Sequence, residues 1–256
     1  MLIRFSKYQG TGNDFIMIDN RAGDIHLTAP QIIQMCDRKF GIGADGIILI
    51  EETGFSDFYM NFYNPDGSQS FCGNGSRCAV RFAQQLGICR DSGEFKAIDT
   101  KHDFESNEQE VTIQMKNVLG LEHQNNHFVI HTGSPHYIEY RTHIDQMDLI
   151  AAARTIRYSP RFEEEGVNVN FVEIKNNEVH MRTYERGVEN ETLSCGTGVT
   201  AVALSYGFLH AGTSEVAVHT KGGALRVSFE TVGQGEFEEV KLTGPAQWVF
   251  DGTYQL

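Results

Sequence analysis

No apolar run in the 256-residue chain approaches the roughly 20 residues that a helix needs to cross a bilayer, so no membrane partner is expected. The opening Met1-Leu2-Ile3-Arg4-Phe5 lacks the layout of a secretory leader and reads as the start of a strand. Positive charge is scarce. Lys and Arg number 21 against 34 Asp and Glu, a formal net charge of −13. A surface of that sign repels phosphate backbones and argues against a nucleic-acid partner. Cysteine is sparse and odd in number, with five residues. That count does not suit a secreted disulfide framework and suits free thiols in a reducing cytoplasm. The absence of any Cys-x-x-Cys weakens a redox or zinc module. Gly10-Thr11-Gly12 lacks the third glycine and the following helix of a dinucleotide loop, and Gly222-Gly223 reads as a hairpin turn.

What is present is a globular composition, 40% hydrophobic and 21% charged, in a chain long enough for one large domain or two ordinary ones. Three glycine-rich punctuations recur in order. Gly12-Asn13-Asp14-Phe15 is matched by Gly133-Ser134-Pro135-His136, 121 residues on. Gly43-Ala44-Asp45-Gly46 is matched by Gly166-Val167-Asn168-Val169, and Cys72-Gly73-Asn74-Gly75 by Cys195-Gly196-Thr197-Gly198, each 123 residues on. Three matches at nearly one offset indicate a tandem duplication. The expected domains are 1–115 with 245–256, carrying Cys72, and 116–244, carrying Cys195.

The halves also share a coarse pattern. Strand-like runs cover 15–18, 47–50, 58–63, 95–98 and 111–115 in the first, and 128–130, 171–174, 179–184, 214–219, 225–229 and 239–242 in the second. A helix follows each Cys-Gly-x-Gly: one with Ala79, Val80, Phe82, Ala83 and Leu86 on its apolar face, and one from Gly198 to Phe208 that is apolar all round and so expected to be buried. Further helices are expected over 29–39 and near 145–154. The tail at Trp248-Val249-Phe250 is expected to return to the first domain. The fold class is therefore α+β, with two pseudo-symmetric domains, each of mixed and antiparallel strands around a central helix.

Each Cys-Gly-x-Gly places its cysteine where a loop gives way to a helix. Unpaired N–H groups and a partial positive charge there favour a thiolate and also suit a carboxylate, and the glycines let the backbone bend sharply and approach a ligand. Two such loops, one per domain, predict Cys72 and Cys195 as an acid and a base on opposite faces of one carbon, the requirement for inverting it reversibly. A disulfide would be a by-product of their proximity. Cys36, Cys78 and Cys89 lack the glycine frame and read as packing residues.

Together, Gly10-Thr11-Gly12-Asn13-Asp14-Phe15, Gly41-Ile42-Gly43-Ala44-Asp45-Gly46, Tyr63-Asn64-Pro65-Asp66-Gly67, Cys72-Gly73-Asn74-Gly75, Tyr184-Glu185-Arg186-Gly187 and Ser194-Cys195-Gly196-Thr197-Gly198 resemble the diaminopimelate epimerase family over nearly the whole chain. The resemblance implies interconversion of LL- and meso-diaminopimelate for lysine and cell-wall precursors, without metal or pyridoxal phosphate, in a two-domain fold that is commonly a homodimer. It implies that Cys195 takes the proton of the LL substrate and Cys72 returns one. Gly73, Asn74, Gly196 and Thr197 resemble the cradle for the reacting carboxylate. Asn13, Asn64, Asn168 and Arg186 resemble the groups that hold the substrate, the last three at its far end. Glu185 and His136 resemble the polar pair near the reacting amino group. The chain departs from the family at Ser134, where asparagine is usual, and at Thr200, where a small residue or cysteine is often seen.

Alternatives remain within and outside this chemistry. A proline or hydroxyproline racemase would share the fold, but Glu185, Arg186 and Asn64 suit a substrate with a second amino-acid head. A metal module could draw on His123, His127 and His131, which would align on a helix, but Phe128-Val129-Ile130 reads as strand and Asn125-Asn126 as a turn. No metal or other cofactor is expected.

Overall fold

The computed structural model describes residues 1–256. The chain divides into two compact units, Met1–Ile113 with Gly244–Leu256, and Gln114–Thr243. No helix is long and apolar enough to cross a membrane.

In the first unit, β1 (Leu2–Gly10) and β2 (Asn13–Asp19) form a hairpin. Helix α1 (Ala29–Cys36) crosses to β3 (Ile47–Glu51), parallel to β2, and β4 (Phe58–Tyr63) returns antiparallel. Helix α2 (Gly73–Gln85) crosses to β5 (Ser92–Lys96), parallel to β4, followed by antiparallel β6 (Lys101–Ser106) and β7 (Val111–Gln114). Each parallel pair thus has a helical crossover, as parallel strands require.

In the second unit, β8 (Glu122–Gln124), β9 (His127–His131) and β10 (Pro135–Tyr140) run antiparallel. Helix α3 (Leu149–Arg157) crosses to β11 (Asn168–Lys175), parallel to β10, and β12 (Glu178–Glu185) returns antiparallel with a short arm, β13 (Asn190–Thr192). Helix α4 (Gly196–Leu209) leads to β14 (Glu215–Thr220), parallel to β12, then to antiparallel β15 (Gly223–Gly233) and β16 (Glu236–Gly244). The last strand, β17 (Gln247–Gln255), returns to pair with β1 of the first unit. The strand orders β17-β1-β2-β3-β4-β5-β6-β7 and β8-β9-β10-β11-β12-β14-β15-β16 share the same succession of parallel and antiparallel pairings. The duplication read from three recurring motifs is a duplication of topology, and the fold is α+β.

The unbroken apolar run Ile47-Ile48-Leu49-Ile50 has no period because both faces of β3 are covered. Ile47 and Leu49 pack with Ile32 and Met35 of α1, while Ile48 reaches the first turn of α2. Each such buried isoleucine contributes about 1.5–3 kcal/mol of burial free energy. In the second unit Val167, Val169, Phe171 and Tyr184 pack under α3. Helix α4 is buried except at Tyr206, Phe208 and Leu209, as its all-round apolar surface predicts.

Two expectations shift, and strand β10 is added. Helix α1 stops at Cys36 rather than continuing to residue 39, because Asp37 turns extended and its Oδ1 accepts the Lys39 and Phe40 N–H groups at 2.7 and 2.8 Å. The helix expected near 145–154 begins at Leu149, since Asp148 rather than Asp145 caps it by accepting the Ala151 N–H at 3.1 Å. Strand β10 carries no apolar alternation because one of its inward positions holds His136.

Candidate active site

Cys72 is the N-cap of α2, at φ −135° and ψ 109°. Its Sγ accepts the Gly75 N–H at 3.4 Å and lies 3.8 Å from Asn13 Oδ1. Asn13 Nδ2 donates to Asp45 Oδ2 at 2.7 Å. A carboxylate only accepts, so Oδ1 of Asn13 is turned towards Cys72 and towards Asn74 Nδ2, 3.4 Å away. Behind this amide stands an ionic network. Arg38 reaches both Asp14 and Asp45 at 2.6 Å, and Lys7 reaches Asp14 at 2.8 Å. Burial raises the Asp14 pKa, but the bonds from Arg38 and Lys7 outweigh it and hold the carboxyl at about 2. Burial and the neighbouring Asp14 charge push Asp45 up.

Because the folded pKa of Asp14 lies below its ordinary value, the network stabilises the fold at neutral pH and loses that contribution as pH falls from about 4 towards 2. Asp14→Asn is expected to cost about 2 kcal/mol at pH 7, with the gap from the parent closing near pH 2. Urea unfolding at several pH values measures it; a gap independent of pH would refute the assignment.

In the second unit, Cys195 caps α4 at φ −127° and ψ 112°. Its Sγ lies 3.5 Å from Thr197 Oγ1, which lies 2.9 Å from His136 Nε2. His136 is wholly buried on β10. Asn170 Nδ2, fixed by donating to the Tyr137 carbonyl at 3.0 Å, lies 3.2 Å from His136 Nδ1 and makes that nitrogen the acceptor. The proton therefore sits on Nε2 and donates to Thr197 Oγ1, which leaves the threonine hydroxyl to donate to Cys195. Burial, then the His131 and Arg186 charges, push His136 down to about 3, so it stays neutral. His136 is thus linked to the Cys195 sulfur through the Thr197 hydroxyl.

The glycines do two different jobs. Gly12, Gly43, Gly133 and Gly166, in the first two repeated motifs, have φ of +83°, +79°, +104° and +76° and make left-handed turns. Those beside the cysteines do not bend the chain, contrary to expectation. A Cβ on Gly75 would stand 3.0 Å from Ile48 Cδ1, and one on Gly198 would stand 2.8 Å from Asn170 Oδ1. They let the first helical turn press onto the strands, which pins each sulfur at the helix end.

The remaining candidates spread further. Asn168, buried at the start of β11, donates to Ser134 Oγ at 2.8 Å and the Pro135 carbonyl at 3.0 Å, and accepts the Arg186 N–H at 2.9 Å. It sets the backbone under Arg186, and the usual asparagine's place is filled here by a hydroxyl that accepts from it. The exposed Arg186 guanidinium donates to the Glu165 carbonyl at 2.8 Å and forms no ion pair. Glu185 is half-buried at the end of β12. Asn64 is not joined to the Cys72 cluster. Its Nδ2 serves its own turn, bonding the Ser68 carbonyl, Ser68 Oγ and Ser70 Oγ at 3.1–3.2 Å. The sequence candidates do not include Asp45, Asn170 and Arg77. Asp45 stands inside the repeated Gly43-Ala44-Asp45-Gly46 motif, whereas Asn170 and Arg77 are marked only by polarity inside otherwise apolar strand and helix patterns.

None of the five cysteines is in a disulfide. Burial pushes Cys36, Cys78 and Cys89 up to about 12, which leaves them inert thiols. His123, His127 and His131 lie on the β8–β9 hairpin, where His123 stacks on Phe128 and His127 on Tyr137. No group of three His, Cys, Asp or Glu side chains converges as metal ligands would.

The model of the diaminopimelate epimerase family matches residues 5–118 and 128–249. The diaminopimelate epimerase of Flavobacterium psychrophilum is 43% identical over 256 residues, covering 98% of this chain and 100% of that one. Among solved structures, a phenazine biosynthesis protein of the PhzF family from Bacillus anthracis superposes with a TM-score of 0.77 at 11% identity, covering 100% of both chains. A hydroxyproline epimerase from Agrobacterium vitis, solved with trans-4-hydroxy-L-proline, gives 0.71 at 12% identity, covering 98% of this chain and 92% of that one. At such identities the two structures speak for the fold alone. The family match spans both cysteine-capped helices and the motifs around them, and on it this chain belongs to the diaminopimelate epimerase family.

Proposed function

We propose that the chain interconverts LL-2,6-diaminopimelate and meso-diaminopimelate, in lysine and cell-wall precursor synthesis, by a two-base mechanism with Cys72 and Cys195 as the acid and base. The observation that carries the reading is the capped helix found twice: in two units of one topology, a cysteine ends the central helix at its N-terminus, in a chain whose relatives bear the epimerase name.

Cys195, as thiolate, takes the α-proton of the LL epimer. The electron pair left on carbon spreads into the α-carboxylate, where the first-turn N–H groups at Gly73, Asn74, Gly196 and Thr197 offset the growing charge. Cys72, as thiol, delivers its proton to the opposite face. The sulfurs finish with their protonation states exchanged, so the reverse reaction follows the same path and no oxidant or electron carrier enters the balance. Asn13 sits beside Cys72 for the near end of the substrate. Asn64, Asn168 and Arg186 serve the far amino-acid head, with Arg186 suited to a bidentate carboxylate contact. Glu185 meets an ammonium group, and His136 orients Thr197. Five cysteines outside any disulfide suit a reducing cytoplasm, and the homodimer common in the family completes the reading.

Incubation with LL-diaminopimelate in heavy water tests it. The meso product is expected to carry solvent deuterium at one α-carbon, with turnover unaffected by a chelator and lost when reductant is withheld. Turnover of proline or hydroxyproline but not diaminopimelate would overturn the substrate assignment.

A further inference from the structure

The two cysteine helices share a topology but not their electrostatics. Five residues beyond Cys72 stands Arg77, and five beyond Cys195 stands Thr200; both are 0% exposed. Thr200 is neutral, its hydroxyl spent on the Gly196 carbonyl at 3.0 Å. Arg77 is a cation with only neutral partners. It donates to the Gly73 carbonyl at 3.3 Å, Asn74 Oδ1 at 3.0 Å, Thr11 Oγ1 at 3.4 Å and the Pro245 carbonyl at 3.3 Å, and it forms no ion pair. A buried guanidinium without a counter-charge is costly, and its hydrogen bonds lead straight to the loop that carries the reactive sulfur.

We propose that Arg77 is a positioning residue for the Cys72 half of the site: its guanidinium holds Gly73 and Asn74 in place, and its uncompensated charge favours a thiolate at Cys72 in the free enzyme. This rests on the two-thiol reading above. Two thiols feel the Arg77 charge, Cys72 and Cys78. Burial pushes Cys78 up to about 12 and keeps it neutral, so Cys72, whose thiol form donates to Asn13 Oδ1 at 3.8 Å and whose sulfur accepts the Gly75 N–H at 3.4 Å, is the group that can answer the cation. Other titratable groups on the strands packed against α2 are engaged elsewhere. Lys7 and Asp14 pair with each other, Asp14 also with Arg38, Asp19 with Arg21, and Asp251 is held by Ser6 and Trp248. Glu51 accepts from Asn20 and Asn61, Tyr8 is pushed up to about 12 by burial, burial also pushes Tyr59 up, and the Tyr63 hydroxyl accepts from Asn61 Nδ2. No cation stands at the matching position in the second unit, and His136 there is neutral. Of the two free-enzyme forms that each turnover exchanges, Arg77 therefore favours the one with its proton on Cys195, against the Thr197 hydroxyl, which favours the other. With Cys195 as the base for the LL epimer, that form is ready for the meso epimer.

The pH dependence of iodoacetamide alkylation at Cys72, followed by peptide mapping in a Cys195→Ser background, tests this without reference to turnover. Arg77→Gln is expected to raise the alkylation midpoint by about one pH unit or more. Arg77→Lys keeps the charge but loses the fork, and is expected to hold the midpoint within about half a unit while raising KM in the otherwise native enzyme. An unmoved midpoint in folded Arg77→Gln overturns the proposal. If that variant does not fold, a rise of a full unit in Arg77→Lys overturns it. Failure of the two-thiol reading itself shows separately, as unchanged turnover in Cys72→Ser.

Discussion

Replacing either Cys72 or Cys195 by serine is expected to reduce epimerisation about 10²- to 10⁴-fold, with kcat carrying the loss. A serine hydroxyl keeps the shape of the thiol and its place at the helix end, but it holds its proton far too tightly to serve as a base at neutral pH. Serine is also among the best N-cap residues, so both variants should melt within a few degrees of the parent and the loss can be read as chemistry. Each turnover uses one sulfur as base and the other as acid, so the single losses should be similar and the double variant little worse than either. Retention of near-parental turnover by either single variant, measured as solvent deuterium entering the product, would remove that sulfur from the mechanism.

Thr197→Val is expected to lower kcat about 10- to 100-fold and to raise the alkylation midpoint of Cys195, while Thr197→Ser should restore most of both. The backbone N–H at this position, part of the proposed carboxylate cradle, survives in all three proteins, so the comparison isolates the hydroxyl. The valine deletes the donor 3.5 Å from Cys195 Sγ and leaves the buried His136 Nε2–H without its acceptor at 2.9 Å. The second loss should also cost about 1–3 kcal/mol of stability. His136→Phe is expected to reproduce the shift at Cys195 in weaker form, since the hydroxyl remains but is no longer oriented. A Thr197→Val enzyme with parental kcat would show that the chain from imidazole to hydroxyl to sulfur is packing alone.

Much of the site could be read because duplication leaves two copies of each signal. Cys72 and Cys195 stood out against Cys36, Cys78 and Cys89 by their shared glycine frame, and the structure caps a helix with each of the two. The same frame misled on mechanism. Those glycines are needed for close packing against Ile48 and Asn170, neighbours brought from elsewhere in the chain. Helix ends were misjudged where a side chain competed for the backbone. Asp37 could have continued α1, but its carboxylate found two N–H groups ahead of it.

The α+β class, the twofold repeat, the buried character of α4 and the residues that could carry acid–base chemistry are legible in the amino-acid order, because they follow from local periodicity and from motifs that recur. Which polar groups stand behind those motifs emerges from the folded arrangement. Asp45 sets the orientation of the Asn13 amide, Asn170 sets the tautomer of His136, and Arg77 lies buried without a counter-charge under the Cys72 loop. Each is a contact between segments remote along the chain or a matter of burial. A hydrogen bond of about 3 Å between such segments leaves no spacing or period in the sequence from which it could be read.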